Sequence, residues 1–250
     1  MCELFGASLK EDEDIRGYLS EFFSHGVQHP HGWGIYRELH GNFEILKEAV
    51  SSVKSPLAKE IIRATEPQKH FMAHIRLATA GAIKTENCHP FSGTDESGQC
   101  WTLVHNGTIY VVNRTFPYRS AQQGNTDSER VFLYLLDKLN KMRPNNASER
   151  FSVVDEVAQE LSEQNKLNLI ISDGEILYVH KNMEGTLFYL KNDNGYYFCT
   201  KPLDDGAWME FPTAQLIAFQ NGEKLFSGTN HGKIFTSVMH SISVYDAMNI

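Results

Sequence analysis

No apolar run in this 250-residue chain approaches the ~20 residues a membrane-crossing helix needs, so no membrane partner is expected. The first residues, Met1-Cys2-Glu3-Leu4-Phe5-Gly6, have no basic segment leading into a hydrophobic stretch. That is no secretory signal, and the cytoplasm is the expected compartment. Basic charge is in short supply: 23 Lys and Arg stand against 31 Asp and Glu, a formal net charge of −8. Such a balance argues against a general phosphate-backbone binder, and no nucleic-acid partner is expected. A local positive pocket for a small anionic substrate stays open. Cysteine is sparse and scattered, at positions 2, 88, 100 and 199, and no pair has C-x-x-C spacing. This speaks against a zinc ribbon, a redox pair or a disulfide framework. Each thiol is therefore either buried filler or reactive. The histidines His25, His29 and His31 cluster in sequence without an acidic or thiol ligand at recognised spacing, so no metal is expected.

What remains is an ordinary globular composition, 41% hydrophobic and 22% charged, long enough to bury a sizeable core. Cys2 to Ser8 reads as a strand starting almost at the first residue, and Asp14 to Phe23 as a helix with Ile15, Leu19, Phe22 and Phe23 on one face. Gly26 to Trp33 reads as loop, and a hairpin is expected around His40-Gly41-Asn42. Pro56 to Ala64 opens like a helix with proline in its first turn. Phe71 to Ala78 reads as a buried strand carrying His74 and Arg76, and Trp101 to Val104 as another running into His105-Asn106-Gly107. Thr126-Asp127-Ser128-Glu129 has the form of a capping box, followed by an apolar helical stripe from Val131 to Leu139. A second helix is predicted over 152–164. Strands follow at 167–171, 176–180, 186–190, 196–200 and 216–219, with Asp173-Gly174 and Asn194-Gly195 as turns. Residues 114–125 read as irregular, and those from about Gly228 carry no assignment. Strands, central helices and strands again predict an α+β arrangement in segregated layers. No linker or composition break divides residues 1–250, so a single domain is expected.

Several side chains carry chemistry on their own terms. A thiol with an ordinary pKa of about 8.5 needs a base to become a nucleophile. If Met1 is removed, Cys2 gains an α-amine of pKa roughly 7.7–8.0 that can take the thiol proton and later return one to a leaving amine. Arg76 interrupts an apolar strand: its planar fork suits a substrate carboxylate, while a structural acid partner is the plain alternative. Asn106-Gly107 reads either as a turn or as two donors converging on an oxyanion. Asp127 suits the positive end of a helix and equally a substrate ammonium. His89, in Asn87-Cys88-His89-Pro90-Phe91, is either a rigid loop histidine or a site-lining one.

Taken in order, Met1-Cys2-Glu3-Leu4-Phe5-Gly6, His31-Gly32-Trp33-Gly34-Ile35, Ala73-His74-Ile75-Arg76-Leu77-Ala78-Thr79, Asn87-Cys88-His89-Pro90-Phe91, His105-Asn106-Gly107 and Thr126-Asp127-Ser128-Glu129 resemble the class II glutamine amidotransferases. Asn168-Leu169-Ile170-Ile171-Ser172-Asp173-Gly174 resembles their stand-alone YafJ- and EgtC-like branch. The resemblance implies a four-layer αββα sandwich of the N-terminal-nucleophile type and hydrolysis of the γ-amide of glutamine or of a γ-glutamyl compound, without metal or organic cofactor. Residue by residue it makes Cys2 the nucleophile, and Asn106 and Gly107 the oxyanion donors. Arg76 and Asp127 become substrate anchors, with Thr79, Trp33, Gly34 and His89 lining the pocket. A chain ending at Ile250 leaves no room for the synthase domain that family members using the ammonia carry. The expected partners are therefore a small γ-glutamyl substrate and either a separate ammonia-accepting synthase subunit or none. The stretch Tyr110 to Gly124, between the oxyanion motif and Asp127, is the candidate specificity segment. A catalytically idle scaffold of the same fold, binding a γ-glutamyl ligand or a protein, is the alternative.

Overall fold

Alternation of side chains along a strand sorts residues to opposite faces, and the first strand shows how that builds the molecule. In β1 (Glu3–Glu13), Phe5, Ala7 and Leu9 point to one face and Leu4 to the other, all fully buried. A strand apolar on both faces must lie between two layers. The computed structural model describes residues 2–39 and 42–236.

The chain continues through α1 (Arg16–Ser24), β2 (Trp33–Leu39), β3 (Asn42–Glu48), α2 (Pro56–Ala64) and β4 (Gln68–Ile75). It then forms β5 (Phe91–Thr94), β6 (Cys100–Thr108), α3 (Asp127–Met142) and α4 (Ala147–Leu161). The last elements are β7 (Lys166–Ser172), β8 (Leu177–Lys181), β9 (Phe188–Asn192), β10 (Gly195–Cys199), β11 (Met209–Glu210), β12 (Gln215–Gln220) and β13 (Glu223–Ser227). Seven strands make one antiparallel sheet in the order β11-β9-β10-β1-β4-β2-β3, and six make the other, β13-β12-β8-β7-β6-β5.

Helices α1 and α2 cover the outer face of the first sheet, where Phe5, Phe22, Trp33, Ile61, Phe71 and Ile75 share one core. Helices α3 and α4 cover the second sheet over Trp101, Leu103, Leu135, Val157, Leu169 and Ile171. Between the sheets lies a third layer that includes Leu4, Met72, Val104, Ile170, Phe198 and Phe219. The result is a four-layer αββα sandwich. The sheets approach closely at Gly6, where a Cβ would stand 3.0 Å from the Cδ1 of Ile170.

Local chemistry sets the element ends. Pro56 occupies the first turn of α2, with the Ser55 hydroxyl accepting from the Ala58 N–H at 2.9 Å. Thr126 caps α3 by accepting from the Glu129 N–H at 3.3 Å. The Glu129 carboxylate reaches further back than a capping box requires, to the N–H groups of Gln123 and Gly124. Helix α4 begins earlier than expected because Asn146 caps it, accepting from the Glu149 N–H at 3.0 Å. β1 runs past Ser8 to Glu13 because Asn194, in the β9–β10 turn, accepts the N–H groups of Lys10 and Glu11. β4 stops at Ile75, short of the expected Ala78, and the Arg76 N–H is then taken by the Gly32 carbonyl at 2.8 Å. The strand expected at 186–190 lies at Phe188–Asn192. β2 and β3 pair from Trp33↔Glu48 to Leu39↔Asn42, and the expected hairpin turn at His40-Gly41 lies outside the described residues.

Candidate active site

The inward faces of four central strands converge at one end of the layer between the sheets. Cys2 precedes β1, two residues from the inward Leu4. On β4, Met72 and His74 share the inward alternation, and Arg76, one residue past its end, continues it. On β6 Asn106 lies two residues from inward Val104, and on β7 Asn168 and Lys166 lie two and four from inward Ile170. The spacing of the motifs thus has a simple cause: residues two apart on a strand share a face.

Cys2, Asn106 and Lys166 line a cavity of 330 Å³ together with Glu3, Gln28, His29, Leu77, Gly185, Thr186 and Thr200. The Cys2 thiol sits 3.7 Å from the Leu77 carbonyl oxygen. Burial raises the thiol's pKa; the Arg76 charge lowers it and the Asp127 charge raises it again, so both charges act on the sulfur. A buried thiol in this state is a poor nucleophile without a base.

Arg76 is only 3% exposed, yet it pairs with no carboxylate among the described residues. Its guanidinium donates to the carbonyls of Ala82 at 3.0 Å and Ala80 at 2.9 Å, with Gly81 at 3.4 Å. Neutral carbonyls hold the fork in place and leave its charge uncancelled. Asp127, at the start of α3, accepts from the N–H groups of Ile109 and Ser128, both at 2.9 Å. Those bonds fix the carboxylate at the junction of β6 and α3.

Asn106 is 2% exposed and stands within β6 opposite Asn168, so Asn106-Gly107 is strand and not turn. A Cβ at Gly107 would collide with the Lys166 carbonyl and the His105 ring, so only glycine fits. His105 faces the helices and bonds the Ser128 hydroxyl at 2.9 Å.

Arg76, Gly107 and Asp127 do not line this cavity, and four further residues expected in the pocket lie off it as well. Trp33 is fully buried under α1, its ring 5.4 Å from that of Phe23 and its N–H donated to Glu48. It faces the helices because alternation in β2 sends it there with Ile35. Gly34 lets β2 approach the 88–90 loop: a Cβ would strike the His89 carbonyl and come within 2.7 Å of the Lys47 Cβ. His89 packs edge-on against His74 with ring centroids 3.9 Å apart, and burial holds both imidazoles well below their usual pKa. Thr79 is exposed beyond the end of β4.

Two cavity groups escaped the sequence reading. Burial pulls the Lys166 ammonium down to about 8, with Cys2 as the opposing influence. Its signal was there: Lys166, Asn168 and Ser172 put three polar residues on one face of a strand otherwise made of Leu and Ile. Glu3 binds His25 Nδ1 at 2.7 Å and stands 3.7 Å from His29 Nε2. It supplies the acid the histidine cluster lacked in sequence, from a distant strand. Among the described residues no group of three or more His, Cys, Asp or Glu is placed to hold a metal, and no helix is long and apolar enough to cross a membrane.

The chain resembles known proteins in sequence and in fold. The chain is 32% identical to YafJ of Escherichia coli over 188 residues, 72% of each protein. A structure solved for a predicted glutamine amidotransferase of Pseudomonas aeruginosa superposes with a TM-score of 0.60 at 21% identity, covering 90% of this chain and 95% of that one. The allosteric regulatory enzyme of purine biosynthesis superposes with a TM-score of 0.67 at 16% identity, over 92% of this chain and 49% of that one. These two structural likenesses are of fold. The family model of the class-II glutamine amidotransferases matches residues 1–197, from the Cys2 segment through the β10 strand beside it, and the chain belongs to that family.

Proposed function

We propose that Cys2, freed by removal of Met1, is the N-terminal nucleophile that hydrolyses the γ-amide of glutamine or of a γ-glutamyl compound. The observation that carries this reading is the meeting of Cys2 and Asn106, from opposite sheets, on one 330 Å³ cavity. The α-amine of Cys2 takes the thiol proton, which a thiol raised by burial does not give up unaided. The thiolate attacks the γ-carbonyl. The Asn106 amide and the Gly107 N–H hold the resulting oxyanion, and the protonated α-amine gives its proton to the departing ammonia or amine. A γ-glutamyl thioester remains on Cys2. Water, activated by the same amine, attacks the thioester and releases glutamate and the thiol.

Arg76 binds the substrate α-carboxylate, since its charge is held by carbonyls and not cancelled. Asp127 binds the α-ammonium. Lys166 adds a positive charge to the cavity that favours thiolate and oxyanion alike. The departing ammonia or amine passes into solvent or to a separate acceptor subunit.

The test is intact mass before and after incubation with 6-diazo-5-oxo-norleucine, an electrophile shaped like glutamine. Loss of Met1 and one adduct on Cys2, absent from Cys2→Ala, is the expected result. A retained Met1 with no adduct would overturn the mechanism and leave the idle scaffold in its place.

A further inference from the structure

The stretch between β6 and α3 builds a second pocket, of 450 Å³, lined by residues of that stretch and of the first turn of α3. Its volume falls in the ~300–1,000 Å³ range of small-molecule sites. One wall is cationic, from Arg119 and Arg130; Phe116 and Val112 give an apolar shelf, and Gln122 and Asn125 add amides. None of these residues lines the Cys2 cavity.

The two arginines are unusual in being unopposed. Arg130 donates from Nη1 to the Gln122 side chain at 3.0 Å, while its buried Nε has no partner. Neither arginine forms an ion pair among the described residues, in a chain where acids outnumber bases 31 to 23. Nearby acids are committed elsewhere. Glu129 accepts from the Gln123 and Gly124 N–H groups, Asp127 from Ile109 and Ser128, and Asp137 from the Tyr118 hydroxyl and the Lys141 ammonium. Arg130 also lies in the first turn of α3, where the helix dipole disfavours a cation. An anion in the pocket would reverse that penalty. Phe116 remains 57% exposed beside the arginines, a flat apolar surface without a cover.

We propose that this pocket binds a small dianion attached to a flat apolar group: a phosphate monoester or an aromatic dicarboxylate. Two guanidinium forks match two negative charges, and planar bidentate pairing is what arginine does best. A single carboxylate would leave one fork unpaired. A phosphate monoester carries about −1.5 to −2 at neutral pH, which suits both.

Calorimetric titration of the full chain with phenyl phosphate, and separately with phthalate, tests this. One-to-one binding of either probe is expected, and which one binds more tightly identifies the anion. Arg130→Gln or Arg119→Gln should weaken it roughly 10- to 100-fold, the worth of a charge-assisted hydrogen bond. Arg130→Lys, which keeps the charge and loses the fork, should fall between. Cys2→Ala should bind like the wild type, separating this site from the hydrolytic one. Absence of binding by both probes at about ten millimolar, or affinities untouched by both arginine substitutions, would overturn the proposal.

Discussion

The layer between the two sheets has two ends, made by the same alternation of strand side chains and opposite in character. At one end Phe198 and Phe219 lie 4.8 Å apart by ring centroid, Tyr196 meets Phe219 at 4.7 Å, and Phe211 closes the group. Every one of those contacts is apolar and satisfied by proximity. The other end holds Cys2, His74, Arg76, Asn106, Lys166 and Asn168, and all of these but Cys2 are polar side chains almost wholly buried. Taking such polar groups out of water opposes folding. The comparison teaches that one end of the layer stabilises the fold and the other spends part of that stability to hold reactive groups out of water.

Substitutions at the two ends should therefore separate activity from stability. Cys2→Ala at the polar end should abolish γ-glutamyl hydrolysis, by at least ~10⁴-fold in kcat, with a Tm close to that of the wild type. Turnover of the purified variant above that level would break the division. Phe219→Ala at the apolar end should cost ~3–5 kcal/mol of unfolding free energy while the folded fraction keeps its kcat; urea titration combined with active-site labelling checks both parts. For Asn106→Ala, kcat should fall ~10²- to 10³-fold with a smaller change in KM, as loss of one oxyanion donor does. A pure KM effect would reassign Asn106 to substrate binding.

The smallest effect is the dependence of stability on pH. His70 spans the layer, bonding the Ser172 hydroxyl at 2.7 Å, and burial pulls it down to about 4. The unfolded chain, with histidine pKa near 6.5, then binds the extra proton. Stability is full above about pH 6.5 and is lost as the pH falls toward 4, where the folded imidazole also protonates. Between pH 7 and 5 His70 should account for about 2 kcal/mol, and His74 and His89 act in the same direction. Denaturant midpoints that are equal at the two pH values would show that these rings find partners or water in solution.

Much of this was legible in the chain. Pro56, the Thr126 box and the inward pairs Cys2 and Leu4, His74 and Arg76 follow from local rules of capping and alternation. Reading failed where tertiary neighbours decide. Trp33 is a motif residue, but whether β2 shows it to the cavity or to α1 depends on which face of the sheet the helices cover. The identity of Arg76's partners, the carbonyls of residues 80–82, depends on a loop that folds back on its own side chain. Lys166 was passed over because a lysine opening a strand reads as an exposed end, and only the pairing with β6 buries it. β5 and β13 escaped because one is four residues long and the other mostly exposed at a sheet edge.

The stretch from Tyr110 to Gly124 is clasped at both margins and pinned at its middle to α3, where the Tyr118 hydroxyl donates to Asp137 at 2.6 Å. Asn165 accepts the Tyr110 and Val111 N–H groups at 2.7 and 2.8 Å, and Glu129 accepts those of Gln123 and Gly124 at the far side. The clasps lie on β7's approach and on α3, both parts of the rigid frame. Such a segment behaves as a cassette: the parts between these ties can be lengthened, shortened or exchanged while the clasps hold Asp127 in register. Diversification among relatives, and engineering of new ones, should therefore concentrate between these two clasps, with the frame left untouched.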